Sequence, residues 1–245
     1  MHTLVKLLRV FWIPEYRRSF LRTLVAASTE HDHVLGGLTV ETIVDIGANR
    51  GQFALCARRQ FPKARILSFE PQQIPAAVYR RVFIKDANAR LFNLAISSQS
   101  GTASMNISRR DGSSSLLPMA AAQRDNFPFT EELGRETVVT APLAACVCDA
   151  DITGTALLKL DVRGFELVAL KGCEPLLPRF KYVYAEASFI ELYVGQALAG
   201  EIIAYLLSKN FDLICVANLS TGASKRPIQA DFLFLRRDPA KDSKE

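Results

Sequence analysis

The chain has 245 residues, enough for one large domain with a developed core. Its 49% hydrophobic and 22% charged content is that of a globular protein, and no apolar run of about 18 residues is present to span a bilayer. The net charge of +5 admits anionic partners, but the basic runs ("RRSFLR", "ARRQF", "YRR", "SRR") are dispersed and not interleaved with stacking aromatics, which argues against nucleic acid.

Residues 1–40 read as a helical, basic extension that ends near Gly36-Gly37. Its opening "MHTLVKLLRVFWIPEYRRSF" is broken by Lys6 and Arg9, stopped by Pro14, and lacks a small-residue cleavage site. It therefore reads as retained, and the protein as cytoplasmic. Phe11, Trp12 and the arginines also suit a helix lying on a membrane surface, although packing on the core or on a second subunit is the commoner use.

From residue 41 the texture alternates. "TIVDI" is an apolar, β-branched strand, and "GQFALCARRQF" follows with helical spacing that puts Phe53, Cys56 and Ala57 on one side. "ARILSFE" is a second strand closed by Pro71, "PQQIPAAVYRRVFIKDANA" a helix and turn, and "ARLFNLAIS" a third strand. Residues 97–136, rich in Ser, Gly, Asn and Arg, lack periodicity and read as a binding loop, a lid or a disordered segment. "ALLKLDV" restores a buried strand, "GFELVALKGCEPLL" a helix, "YVYAEAS" a fifth strand and "LAGEIIAYLLSKNF" an amphipathic helix. "FDLICVAN" and "ADFLFLRR" are joined without a helix and predict a hairpin, so an antiparallel strand at the sheet edge. The alternation specifies an α/β fold of βαβ units with a mostly parallel, seven-stranded sheet in residues 41–237 and a polar tail over 238–245. The five cysteines lack a paired CxxC spacing, so reduced thiols are expected and no metal site.

The turn in "VDIGANRGQF" follows the first strand, the place where an open parallel sheet binds ligands. Gly47 and Gly51 permit positive φ and close backbone approach, and the next helix offers free N–H groups. Glu70 ends the second strand 25 positions after Asp45, near the spacing at which an acid meets a ribose diol. The turn lacks the three-glycine dinucleotide pattern, and its acids would repel a phosphate. An adenosine ligand without phosphates fits better.

These pieces, with "FEP", "NLAIS", "LLKLDVRGFELVALKGCEPLL", "AEASFIELYVGQ" and "ADFLFLR", resemble in order the motifs of the FkbM-type S-adenosylmethionine-dependent methyltransferases over roughly residues 40–236. The resemblance implies a Rossmann-like class I methyltransferase fold, S-adenosyl-L-methionine as methyl donor, and a hydroxyl acceptor on a sugar, glycan or natural product. It implies a cofactor loop of Asp45, Gly47, Ala48, Asn49 and Gly51, continued by Gln52 and Phe53. Glu70 and Pro71 would meet the ribose, Asn93 and Ala95 the adenine, and Asp161 the sulfonium.

Asp161 and Glu186, each at a strand end, are the catalytic candidates, with Glu166 more suited to capping its helix. Lys159 is a charge partner of Asp161 or a site residue. His2, His31 and His33 all precede the first core strand, so a core histidine base is excluded; His31-Asp32-His33 contacts the site from the extension or, the commoner case, forms a polar loop. Ser113, Ser114 and Ser115 match a family piece that closes over the ligands, or form a flexible loop. Arg163 departs from the pattern, since an acid or amide is usual there, and the Leu-Asp-Asp pattern before the fourth strand is missing. A non-catalytic cofactor-binding scaffold and a protein or nucleic-acid methyltransferase are the alternatives.

Overall fold

A computed structural model describes residues 11–222 and 225–238. The first ten residues of the expected N-terminal helix and most of the polar tail lie outside them.

The extension is only partly helical: α1 (Pro14–Thr23) begins at a proline, and after a 3-10 turn at Thr29–His31 comes the short α2 (Asp32–Leu35). Buried Tyr16, Ala27 and Leu35 seat the extension on the core. Then come β1 (Thr42–Ile46), α3 (Gln52–Gln60), β2 (Arg65–Phe69), α4 (Gln73–Val82) and β3 (Ala89–Phe92). The expected third strand stops at Phe92. Its remainder, β4 (Ala95–Ile96), joins a second sheet with β5 (Gly101–Ser108) and, after the short α5 (Ala121–Asn126), β6 (Glu132–Ala141). The segment 97–136 is therefore largely a small ordered sheet with one cavity-facing loop. Next follow β7 (Ala156–Leu160), α6 (Glu166–Cys173), β8 (Tyr182–Ser188), α7 (Ala199–Ser208), β9 (Phe211–Thr221) and β10 (Pro227–Arg236).

The main sheet runs β3-β2-β1-β7-β8-β10-β9 and is parallel except for β10, which pairs antiparallel with both neighbours. The antiparallel strand thus lies in the expected edge hairpin, one place in from the rim. Alternate residues feed two cores. Ile43, Ile66 and Leu157 pack with Phe53, Ala54 and Ala57 of α3. Val44, Leu67, Leu158 and Val183 pack with Leu170 of α6 and Ile202 of α7. Burial on both faces is why β1 and β7 read as continuous apolar runs.

Two charges interrupt those runs. Asp45 and Lys159 stand opposite one another in the β1–β7 register, so each is the other's buried charge partner. The chain leaves β1 toward β3 on one side and returns to β7 on the other. The ends of β1 and β7 therefore bound the crevice of a doubly wound sheet. No helix among the described residues is long and apolar enough to cross a membrane.

Candidate active site

A cavity of about 710 Å³ opens above these strand ends, within the roughly 300–1,000 Å³ typical of small-molecule sites. The β1–α3 turn forms one wall. Gly47 has φ +81°, and a Cβ there would collide with the Asp161 carbonyl. Gly51, at φ +90°, caps α3, where a side chain would press on the rings of Tyr79 and Phe83. Only glycine lets the turn lie flat against β7 and α4 at these two points.

Glu70 braces the turn from β2. One carboxylate oxygen accepts the Asn49 amide and the other the Gln72 amide, each at 2.8 Å. Each oxygen keeps a second lone pair toward the cavity. Burial pushes the Glu70 carboxyl up to about 7, although the two amides favour its charge.

Ala48, Gln52, Phe53, Pro71 and Ala95 line the same cavity. Three expected residues do not. Gly51 is turned to the rings just described. Asn93 is a correction: its amide nitrogen donates to the carbonyls of Glu70 and Pro71 at 2.8 and 2.9 Å, so it holds the wall from behind and does not face the ligand. Asp45 is fully buried beneath the floor. Its carboxylate lies 3.2 Å from Lys159 Nζ without a well-directed hydrogen bond, and burial raises its pKa.

Lys159 reaches up to the Gly47 carbonyl at 3.3 Å and lies 3.9 Å from Asp161, so it serves Asp45 more closely than Asp161. Burial opposes its charge, but the two aspartates outweigh that and hold its pKa above the ordinary value.

At the far side, Arg163 joins the two catalytic candidates. Its guanidinium is 2.6 Å from Glu186 and 3.3 Å from Asp161. The other Glu186 oxygen accepts from Gln229 at 2.8 Å. Burial works against both carboxylates. Arg163 and Lys159 overcome it at Asp161, whose pKa is lowered, whereas Glu186, the second acid on one guanidinium, is raised. Arg163 holds φ +53°, a conformation costly for a side chain of this kind, and the two ion pairs together with the Ser115 hydroxyl on its carbonyl (2.6 Å) keep it there. Glu166 takes the Val162 amide at 3.0 Å at the start of α6, a structural acid as expected.

Ser113, Ser114 and Ser115 are buried, and the first two line the cavity. The Tyr193 hydroxyl donates to the Ser113 carbonyl at 2.9 Å, and an Arg50–Asp111 ion pair ties their loop to the β1–α3 turn. Of the two readings of His31, the structure has the less common one: it lies on the cavity wall, with Nδ1 3.0 Å from the Tyr184 hydroxyl. Its partners come from β8, β9 and β10, so no local motif marks it. Among the described residues no group of His, Cys, Asp and Glu is arranged to hold a metal ion.

The family described as "Methyltransferase FkbM domain" matches residues 45–213. The 2-O-methyltransferase NoeI of Sinorhizobium fredii is 29% identical over 178 residues, covering 70% of this chain and 72% of that protein. The methyltransferase sdnD of Sordaria araneosa is 27% identical, with 76% and 79% covered. The 31-O-demethyl-FK506 methyltransferase FkbM of Streptomyces tacrolimicus is also 27% identical, with 71% and 74% covered.

Proposed function

The chain belongs to the FkbM methyltransferase family, and on that premise we propose that it moves a methyl group from S-adenosyl-L-methionine to a hydroxyl of a sugar, glycan or related natural product. The observation that carries this reading is the Gly47 turn pressed against Asp161 at the β1–β7 crevice, with the Asp161 and Glu70 carboxylates both on the cavity wall. Carboxylates on a cavity wall suit a ligand that is cationic or donates hydrogen bonds. The cofactor's ammonium is both cation and donor, and its sulfonium is cationic. Two relatives named for oxygen methylation support the acceptor class.

Bound there, the cofactor would supply a methyl carbon already activated by a positive sulfur. Glu70 would receive the ribose hydroxyls on its remaining lone pairs, in charge-assisted bonds. Gly47 and Ala48 would let the backbone approach the methionine portion. Phe53, Pro71 and Ala95 would enclose the adenosyl part. Asp161 would orient the charged end while Lys159 keeps Asp45 compensated beneath it. Glu186, fixed by Arg163 and Gln229, would position the acceptor hydroxyl. Such alignment of nucleophile, methyl and leaving sulfur is most of what this displacement needs.

Calorimetry tests the reading. Wild type should bind S-adenosyl-L-methionine, and Glu70→Ala should bind it about tenfold to a hundredfold more weakly. A panel of glycans and hydroxylated natural products, incubated with methyl-labelled cofactor, should then yield a labelled ether. Absence of cofactor binding by the folded wild type would overturn the assignment.

A further inference from the structure

The chain carries a polar cluster beside the cavity that the roles above leave unused. His31, from the extension, meets Tyr184 of β8, Asn218 of β9 and Asp231 of β10. His31, Asn218 and Asp231 all fall outside the segment matched to the family, 45–213. Resting on the reading above, we propose that His31 Nε2 is the base that takes the proton from the acceptor hydroxyl.

The protons of the cluster can be counted. The Tyr184 hydroxyl lies 3.0 Å from Asp231 Oδ2, and burial pushes the phenol's pKa up, so it stays protonated. A phenol has one proton, and the carboxylate can only accept. That proton therefore lies on the Tyr184–Asp231 bond. Across the 3.0 Å contact with His31 Nδ1 the Tyr184 oxygen then accepts, so Nδ1 carries the ring's hydrogen. The second Asn218 hydrogen turns to the Tyr184 oxygen at 3.4 Å in place of Nδ1 at the same distance. Asn218 Nδ2 donates to the same Asp231 oxygen at 2.7 Å and fixes it in place. Nε2 is left with a lone pair. It has no hydrogen bond among the described residues, on a side chain that lines the cavity. Phe53 packs against the ring edge to face, at 5.3 Å between centroids, and holds its plane.

The charged groups around the ring set its state. Burial lowers the His31 pKa most. Asp231 and Glu30 pull it up, Lys159 of β7 pushes it down, and Asp161 pulls it up. Asp45 of β1 interacts with it as well. The outcome is a ring neutral near pH 7, as a base must be before it acts. Glu186 is held differently: its ion pair with Arg163 and its bond from Gln229 fix it to position the acceptor hydroxyl, and Arg163 opposes its taking up a proton.

In the step itself, a lone pair of the acceptor oxygen forms the new bond to the methyl carbon. The carbon–sulfur bond breaks with its electron pair kept by sulfur. The O–H proton passes to Nε2. The resulting imidazolium is balanced by Asp231, 3.5 Å from Nδ1, and later loses its proton to solvent.

Nitrogen-15 NMR of the full chain labelled at histidine tests this without an acceptor, the His31 signal being assigned by its loss in His31→Gln. At pH 7 it should show a neutral ring with hydrogen on Nδ1 and none on Nε2. A charged ring or the Nε2–H tautomer would overturn the proposal. With a turned-over acceptor, His31→Gln should keep its melting temperature and cofactor binding but lose about 100-fold or more in kcat. The acidic limb of the kcat–pH profile should vanish with it. A His31→Gln rate near wild type would equally refute the role. Failure of the wild type to bind cofactor refutes the methyltransferase reading instead, and the tautomer measurement keeps the two apart.

Discussion

Lys159 shows how much one side chain decides here. It is buried between Asp45 and Asp161, and its removal would leave the Asp45 charge without compensation in the centre of the sheet. Lys159→Met should therefore cost about 3–5 kcal/mol of stability in urea unfolding. Adding Asp45→Asn to it should recover a large part, because the pair vanishes together. The acids also govern how stability varies with pH. Glu70 and Glu166 are raised by burial from near 4.5 to about 7. Between those values the folded state binds more protons than the unfolded one, so stability falls as pH rises through that window. Lowered His31 and Asp161 act in the opposite sense below their ordinary values, but four raised acids, Asp45, Glu70, Glu166 and Glu186, stand against them. The melting temperature of the ligand-free protein should rise on going from pH 7.5 to 5.5. The spacing of Asp45, Gly47 and Glu70 was legible in the sequence because one turn and two adjacent strands bring them together. His31 was not, since Asp231 lies 200 positions away in sequence.

Among the elements, the β4-β6-β5 sheet and its loop were the least legible. β5 and β6 leave most of their residues half-buried or exposed. Little apolar alternation survives where neither face is fully covered, and the segment read as a loop. Its tie to the cofactor turn is the Arg50–Asp111 pair, with side chains 39% and 31% exposed. An ion pair so exposed contributes about 0–1 kcal/mol to folding. Arg50→Ala should accordingly leave the melting temperature nearly unchanged. Because it frees the loop beside Ser113 from the turn, stopped-flow measurements should show faster cofactor release. Equal release rates would reduce the pair to a surface contact. The parallel strands and their helices were readable for the opposite reason, since burial on both faces made each a continuous apolar run.

For the molecule as a whole, the strand order places the crevice, and the extension closes it. Alternating strands and helices implied a doubly wound sheet, and the switch point beside β1 followed from that pattern. What composition did not convey is that the basic N-terminal region supplies wall. Leu24, Val25, Ala26 and Ser28 line the cavity, and buried Tyr16 anchors them. Deleting residues 1–37 should lower the melting temperature and weaken cofactor binding by calorimetry. Undiminished binding by the shortened chain would mean that the sheet alone builds the cofactor pocket.

The order β8-β10-β9 has a consequence for synthesis. A nascent chain released as far as β9 lacks that strand's sheet neighbour, β10, and can dock it only against α7 and the core. Until β10 emerges the flank of β8 stands bare, an open template for another growing chain. Asp231 lies on β10 itself, so one strand both joins β8 to β9 and completes the His31 cluster.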